Sequence, residues 1–282
     1  MLKCMDLARL REAVDAHRAA GRRIGLVPTM GNLHAGHLAL VKQARAECDV
    51  VVATIYVNPL QFGENEDLAD YPRTLEDDLV ALDRDHTDIV FMPDDQTMYP
   101  RGLEVQTKVE VPALGNILCG RSRPGHFVGV TTVVARLFNM VGPEVAFFGK
   151  KDYQQLMIIR RMVDDLAMPV SIVGVEIARD ADGLALSSRN RYLDPEQRRA
   201  APELYRTLRW VSDQLAAGRR DWVDLEDQAR TRLTELGFEP DYVSIRRSAD
   251  LEVPDHGDRD LVVLVAARLG VARLIDNVEM GV

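Results

Sequence analysis

Cysteine is scarce in this 282-residue chain, which has only Cys4, Cys48 and Cys119. An odd number of widely spaced thiols makes neither a disulfide framework nor a metal knuckle. The expectation is three buried or partly buried free thiols in a reducing compartment. Long apolar runs are missing too: no stretch approaches the ~18 residues needed to span a bilayer. The opening segment, "MLKCMDLARLREAVDAHRAAGRR", carries charges every few positions, unlike a secretory leader. The expected location is therefore cytoplasmic, with no membrane partner. Positive charge is not in excess either. The net charge is −9, which disfavours nucleic acid as a partner while leaving room for a local basic pocket that takes a small anion. Internal repeats and low-complexity segments are absent. What remains is ordinary globular sequence, 46% apolar and 28% charged, long enough for two domains or one large one.

Periodicity gives the organisation. Residues 6–20 have helical spacing, with Leu7, Leu10, Val14 and His17 on one face and Gly21 as the stop. "RIGLVPT", "DVVVATIYVN", "TDIVFMP", "EVAFFG" and "PVSIVGVEI" read as strands, and helical stretches separate them. This alternation predicts βαβ units, hence an α/β fold with a doubly wound parallel sheet covered on both faces. In such sheets ligands bind beyond the carboxyl ends of the strands. After about residue 175 the pattern changes. "LDPEQRRAAPELYRTLRWVSDQLAAG" reads as a helix with Asp194 as N-cap, Pro195 at the first position and Gln197 completing a capping box. A second helix and three consecutive strands follow, which predicts a smaller α+β domain with antiparallel pairing. The expected domains are residues 1–175 and 176–282.

Five turns carry groups suited to anions. "PTMGNLHAGH" places His34 and His37 three apart where a strand becomes a helix, with Gly31 and Gly36 permitting close backbone approach. A helix N-terminus attracts phosphate and favours neutral imidazoles beside it. Taken alone, the pair reads more readily as surface histidines on a glycine turn, and a zinc site lacks a Cys, carboxylate or third His at ligand spacing. "FFGKKDYQQ" sets Lys150, Lys151 and Asp152 at a second strand end, where a solvated charged turn is the competing reading. "LALSSRN" offers Ser187, Ser188 and Arg189 as a phosphate clamp or a plain cap and loop. "YVNPLQF" exposes Gln61, whose amide can both donate and accept. The acidic residues from Glu64 to Asp70 read as a solvated flexible loop. "SRPGHFVGV" adds Arg123 and His126 at another glycine turn.

In this order and at this approximate spacing, "PTMGNLHAGH", "NPLQF", "SRPGHF", "GKKDYQQ" and "LSSRN" resemble the pantoate–β-alanine ligase family along essentially the whole chain. H-x-G-H alone marks only the wider group of HxGH nucleotidyltransferases. Two departures stand out: Ala35 replaces a common acidic residue, and Val128 replaces the usual arginine of "HFRGV". The resemblance implies a Rossmann-like fold and a two-step reaction. Pantoate's carboxylate attacks the α-phosphorus of ATP to give pantoyl adenylate and pyrophosphate. The amine of β-alanine then attacks the acyl carbon, releasing AMP and pantothenate.

By the same resemblance, His37, His34 and Lys151 are catalytic. ATP is bound by the turn comprising Met30, Gly31, Asn32, Leu33, His34, Ala35, Gly36 and His37. Gly149, Lys150, Lys151 and Asp152 join it, as do the main chain at Ala178 and the segment Leu186, Ser187, Ser188 and Arg189. Gln61 and Gln155 hold pantoate, and Gln61 also borders β-alanine. Mg2+ accompanies ATP, with Asp77 and Asp78 as metal neighbours or, alternatively, a solvated helix face. The C-terminal domain is expected to act as a lid. A homodimer is the family expectation, built through the apolar second strand and its neighbours. The alternative function is a related nucleotidyltransferase that stops after adenylylation.

Overall fold

Continuous β-branched runs with no polar alternation become the inner strands of a six-stranded parallel sheet. The computed structural model describes every residue except 64–67, 70 and 282, so most of the expected acidic loop lies outside the described residues. The chain forms two compact units: Met1–Lys150 with Ile158–Glu176, and Lys151–Met157 with Ile177–Val282.

The first unit contains β1 (Leu2–Cys4), α1 (Leu7–Ala19), β2 (Ile24–Thr29), α2 (Ala35–Glu47), β3 (Val50–Ile55), α3 (Leu75–Arg84) and β4 (Ile89–Phe91). After the short helices α4 (Asp95–Met98) and α5 (Cys119–Ser122) come α6 (His126–Val141) and β5 (Val145–Gly149). Then α7 (Tyr153–Asp165) leads to β6 (Ser171–Val175). The sheet order is β1-β4-β3-β2-β5-β6, every pair parallel. From β2 the chain steps outward through β3 to β4, then returns to the other side of β2 for β5. The strand order thus reverses between β2 and β5, where open α/β sheets leave a crevice at the carboxyl ends. Thr29 and Gly149 are the last residues of those two strands.

The apolar side chains account for the layers. Val27, Val51, Val90 and Phe147 of the sheet pack with Val41 and Ala44 of α2 and Leu82 of α3 in one buried cluster. The three cysteines are buried and unbridged, as expected. β3 is interior, paired on both sides, and its residues are buried apart from the partly exposed Ile55. It offers no open edge for strand pairing with a second copy. Strand β1 is an addition to the strands expected, since three residues are too few to show a period; its pairing, Leu2 to Ile89 and Cys4 to Phe91, completes the sheet.

In the second unit, α9 (Glu203–Ala216) and α10 (Trp222–Glu235) accompany an antiparallel sheet of β7 (Glu239–Arg247), β8 (Asp260–Leu269) and β9 (Ala272–Gly281). Leu204, Leu208, Val211, Leu225 and Leu233 meet Val243, Val263 and Val265 in its core. The capping box at Asp194 is present, with Asp194 Oδ1 accepting from Gln197 N at 2.9 Å and Gln197 Oε1 accepting from Asp194 N at 3.1 Å. The helix it starts, α8 (Pro195–Ala200), ends before Pro202, and α9 begins afresh. A proline there lacks the N–H and crowds the preceding turn, which breaks the single helix expected from the sequence. Lys151–Met157 groups with this unit although it follows β5 directly. The Tyr153 hydroxyl lies 3.0 Å from Ser248 O and 2.9 Å from Glu279 Oε1, and Asn277 Nδ2 donates to Lys151 O. Among the described residues no helix is long and apolar enough to cross a membrane.

One close approach is diagnostic. A Cβ on Gly129 of α6 would stand 2.2 Å from Leu60 O and 2.6 Å from Gln61 N. Gly129→Ala should therefore push the Pro59–Gln61 turn off the helix and cost about 1–3 kcal/mol. A thermal melt unchanged from the parent would contradict this packing.

Candidate active site

The residues expected to bind substrates fall in both units, and each group is built locally. In the first unit the turn after β2 is fixed from beneath. Thr29 Oγ1 donates to Thr54 O at 2.6 Å and accepts from Gly31 N at 3.2 Å. Gly31 and Asn32 then take left-handed backbone, φ +81° and +50°. This favours glycine and is tolerated by asparagine. A Cβ at Gly31 would also sit 3.0 Å from Asp78 Oδ2. Asp78, buried on α3, accepts from Asn32 N at 2.8 Å through Oδ2 and from Leu33 N at 2.7 Å through Oδ1. Thr74 Oγ1 adds a bond to Oδ1 at 3.2 Å. Asp78 is thus the anchor of the turn. Asp77 is exposed on the same helix. Among the described residues no group of three or more His, Cys, Asp or Glu side chains could hold a metal on its own.

The two histidines start α2 together. His34 is the N-cap, its Nδ1 accepting from Gly36 N at 3.1 Å, while His37 Nδ1 accepts from His34 N at 3.3 Å. Their rings are 4.1 Å apart, centroid to centroid. This is a capping box made of two imidazoles. An Nδ1 that accepts from a backbone N–H carries no proton, so each neutral ring holds its proton on Nε2. The sequence suggests two donors on one side of a helix; the structure adds that the backbone selects which nitrogen donates.

Gln61 is equally constrained. Burial pushes the Tyr99 phenol up from its ordinary value, so it stays protonated and donates to Asn58 Oδ1 at 2.7 Å. The Asn58 amide is thereby oriented, and its Nδ2 donates to Gln61 Oε1 at 3.1 Å and to Gly129 O at 3.1 Å. Gln61 then presents its Nε2 to Met30 Sδ, which it meets at 2.9 Å. The ends of β2 and β3 are thus joined through Met30 and Gln61. His126 Nδ1 donates to Gln61 O at 2.7 Å, and Arg123 reaches the same carbonyl at 3.4 Å and His126 Nε2 at 2.9 Å. Arg123 and His126, read from sequence as an anion-suited turn, hold the main chain of Gln61. Sequence reasoning misses Asn58 and Tyr99. Their only signal is an asparagine before Pro59 at the N-cap of a short helical turn. At the end of β5, Gly149 is followed by Lys150, whose Nζ pairs with Glu176 at 2.6 Å.

In the second unit, Lys151 Nζ lies 4.0 Å from Asp152 Oδ2, and Gln155 is half-buried on the first turn of α7. Ala178 O accepts from Leu186 N at 2.9 Å, closing a short hairpin across the "RDADG" turn. Ser187 then caps a helical turn, Ser188–Tyr192, its Oγ accepting from Arg189 N at 3.3 Å. The expected ATP-binding main chain at Ala178 and the segment 186–189 therefore belong to one local structure.

A model of the family described as Pantoate-beta-alanine ligase matches residues 3–279. The chain belongs to this family. Pantothenate synthetase of Thioalkalivibrio sulfidiphilus is 56% identical over 273 residues, covering 97% of this chain and 96% of that protein. The crystal structure of pantothenate synthetase from Thermus thermophilus superposes with a TM-score of 0.92 at 45% identity, covering 99% of each chain. The ligase from Francisella tularensis, solved with β-γ ATP and β-alanine, matches with a TM-score of 0.83 at 32% identity, covering 99% of this chain and 97% of that one. This chain is accordingly an ATP-dependent ligase, and its fold is that of its relatives.

The Asp78 anchor yields a direct expectation for the ligase. Asp78→Asn keeps the shape but has one accepting oxygen for two N–H groups, and should cost about 1–3 kcal/mol. Amide hydrogen exchange at Asn32 and Leu33 should quicken selectively. Exchange unchanged at both positions would refute the anchoring role.

Proposed function

We propose that the chain condenses (R)-pantoate with β-alanine through a pantoyl adenylate. The observation that carries the site assignment is the contact of Gln61 with Met30: it sets an oriented amide donor beside the histidine-bearing turn. A carboxylate is ionised at neutral pH, so the first step needs no base. It needs donors around an α-phosphate that becomes crowded and more negative. His34 and His37 supply Nε2–H groups, and the start of α2 adds its partial positive charge.

ATP is assigned to the turn Met30, Gly31, Asn32, Leu33, His34, Ala35, Gly36 and His37, and to Gly149 and Lys150. From the second unit it takes Lys151, Asp152, the main chain at Ala178, Leu186, Ser187, Ser188 and Arg189. Pantoate is assigned to Gln61 and Gln155, where Gln61 Nε2 suits its carboxylate, and β-alanine to the border of Gln61. Mg2+ would accompany the nucleotide and neutralise the departing pyrophosphate, with Asp77, exposed on α3, as its neighbour or as a solvated helix residue. In the second step the β-alanine ammonium must lose a proton before its nitrogen attacks the acyl carbon and AMP departs. On the same family reading the enzyme is a cytoplasmic homodimer.

Pantoate-dependent exchange of labelled pyrophosphate into ATP tests the first step. His37→Ala and Lys151→Ala should each lower it by about 10²–10³-fold; near-normal exchange in either removes that residue from the catalytic set. Gln61→Ala should damage use of pantoate far more than binding of ATP by titration, and equal loss of both would refute its assignment. Turnover must release AMP and depend strictly on β-alanine. AMP transfer without that dependence would favour a nucleotidyltransferase that stops at the adenylate.

A further inference from the structure

A buried ion pair in the second unit has no substrate assigned to it, yet it links every ATP-assigned segment of that unit. Arg179 follows Ala178 and forks onto Asp276 of β9, Nη1 to Oδ2 at 2.6 Å and Nη2 to Oδ1 at 2.9 Å. The same guanidinium donates to Gly183 O at 3.1 Å and Asn277 O at 3.4 Å, and its carbon lies 3.8 Å from the Tyr205 ring centre. Its main chain bridges Ala185, the residue two before Ser187. Asp276 Oδ1 also accepts from Asn277 N at 2.8 Å. Asn277 in turn donates through Nδ2 to Lys151 O at 3.0 Å. The Asp276 side chain is only 2% exposed, and burial pushes its carboxyl up against the pull of Arg179.

A buried ion pair gains little net stability over apolar side chains of the same volume. What leucine and methionine could not do is fix direction. A planar fork with four oxygen acceptors and a ring stacked on it holds one orientation. We propose that Arg179, Asp276 and Asn277 are positioning residues that set Lys151 and the 178–189 hairpin in a single arrangement for the triphosphate. The proposal rests on the reading that Lys151 and Ser187–Arg189 contact ATP. The sequence shows "ARLIDN" only as a strand; its polar pair, Asp276 and Asn277, is buried on β9 to 3% exposure each.

The test is a double-mutant cycle read by pantoate-dependent pyrophosphate exchange. Asn277→Ala should lower kcat/KM for ATP by about tenfold to a hundredfold, as displacement of a reacting group does. The KM for pantoate should hold within about twofold, and in a Lys151→Ala background the Asn277 change should add less than about twofold. The apolar pair Arg179→Met with Asp276→Leu should melt near the parent temperature yet show the same selective loss toward ATP. Additive losses in the cycle, or a lowered melting temperature with ATP kinetics intact, would overturn the inference. If Lys151→Ala alone exchanges normally, the ATP assignment of Lys151 itself fails, and the positioning role falls with it. Should one variant not fold, the other decides by the same selective readout.

Discussion

The reversal of strand order between β2 and β5 is the constraint on which the first unit's chemistry depends. It leaves two strand ends, Thr29 and Gly149, without a crossover passing above them. The turn after Thr29 can then face outward only if its own N–H groups are satisfied from below. Asp78 does this from α3, an element 46 residues beyond Asn32, so the sheet order, the placement of α3 and the shape of the turn are one problem. Gly31 is the position where all three meet, since any side chain would strain the backbone and press on the carboxylate.

How far this is legible in the sequence depends on the range of the interaction. Period and β-branched composition locate five of the six parallel strands, because inner strands are apolar on both faces. The three residues of β1 escape for want of length. Asp194, Pro195 and Gln197 announce a helix start because a cap is local. Pro202 carries the opposite message, a break, and the periodic stretch around it hides that message. Gln61 stands out as exposed beyond a buried strand. The chain Tyr99–Asn58–Gln61 that orients it spans 41 residues and leaves no periodic trace. Arg123 and His126 draw notice for their charge, whereas their geometry makes them props for a carbonyl. Asp78 reads as a metal neighbour or part of a solvated helix face, because sequence shows the group without showing the N–H groups it holds or its burial.

The second unit has a different logic. Its helices and antiparallel strands follow from ordinary amphipathic patterns, and its apolar core would be complete without polar help. The polar exceptions on β9 are therefore informative. Arg179 and the adjacent pair Asp276 and Asn277 come from segments with no shared motif, almost a hundred residues apart, and only the fold makes them neighbours.

The paired imidazoles have a consequence for how the HxGH turn can vary. Each ring uses one nitrogen to begin the helix and carries its proton on the other, so fold and chemistry are read from the same five-membered rings. Lengthening the interval between them by a single residue would unseat the helical start and displace both protonated nitrogens together. The turn thus admits change at Ala35, which is exposed to water, while the distance separating its neighbours behaves as a rigid ruler.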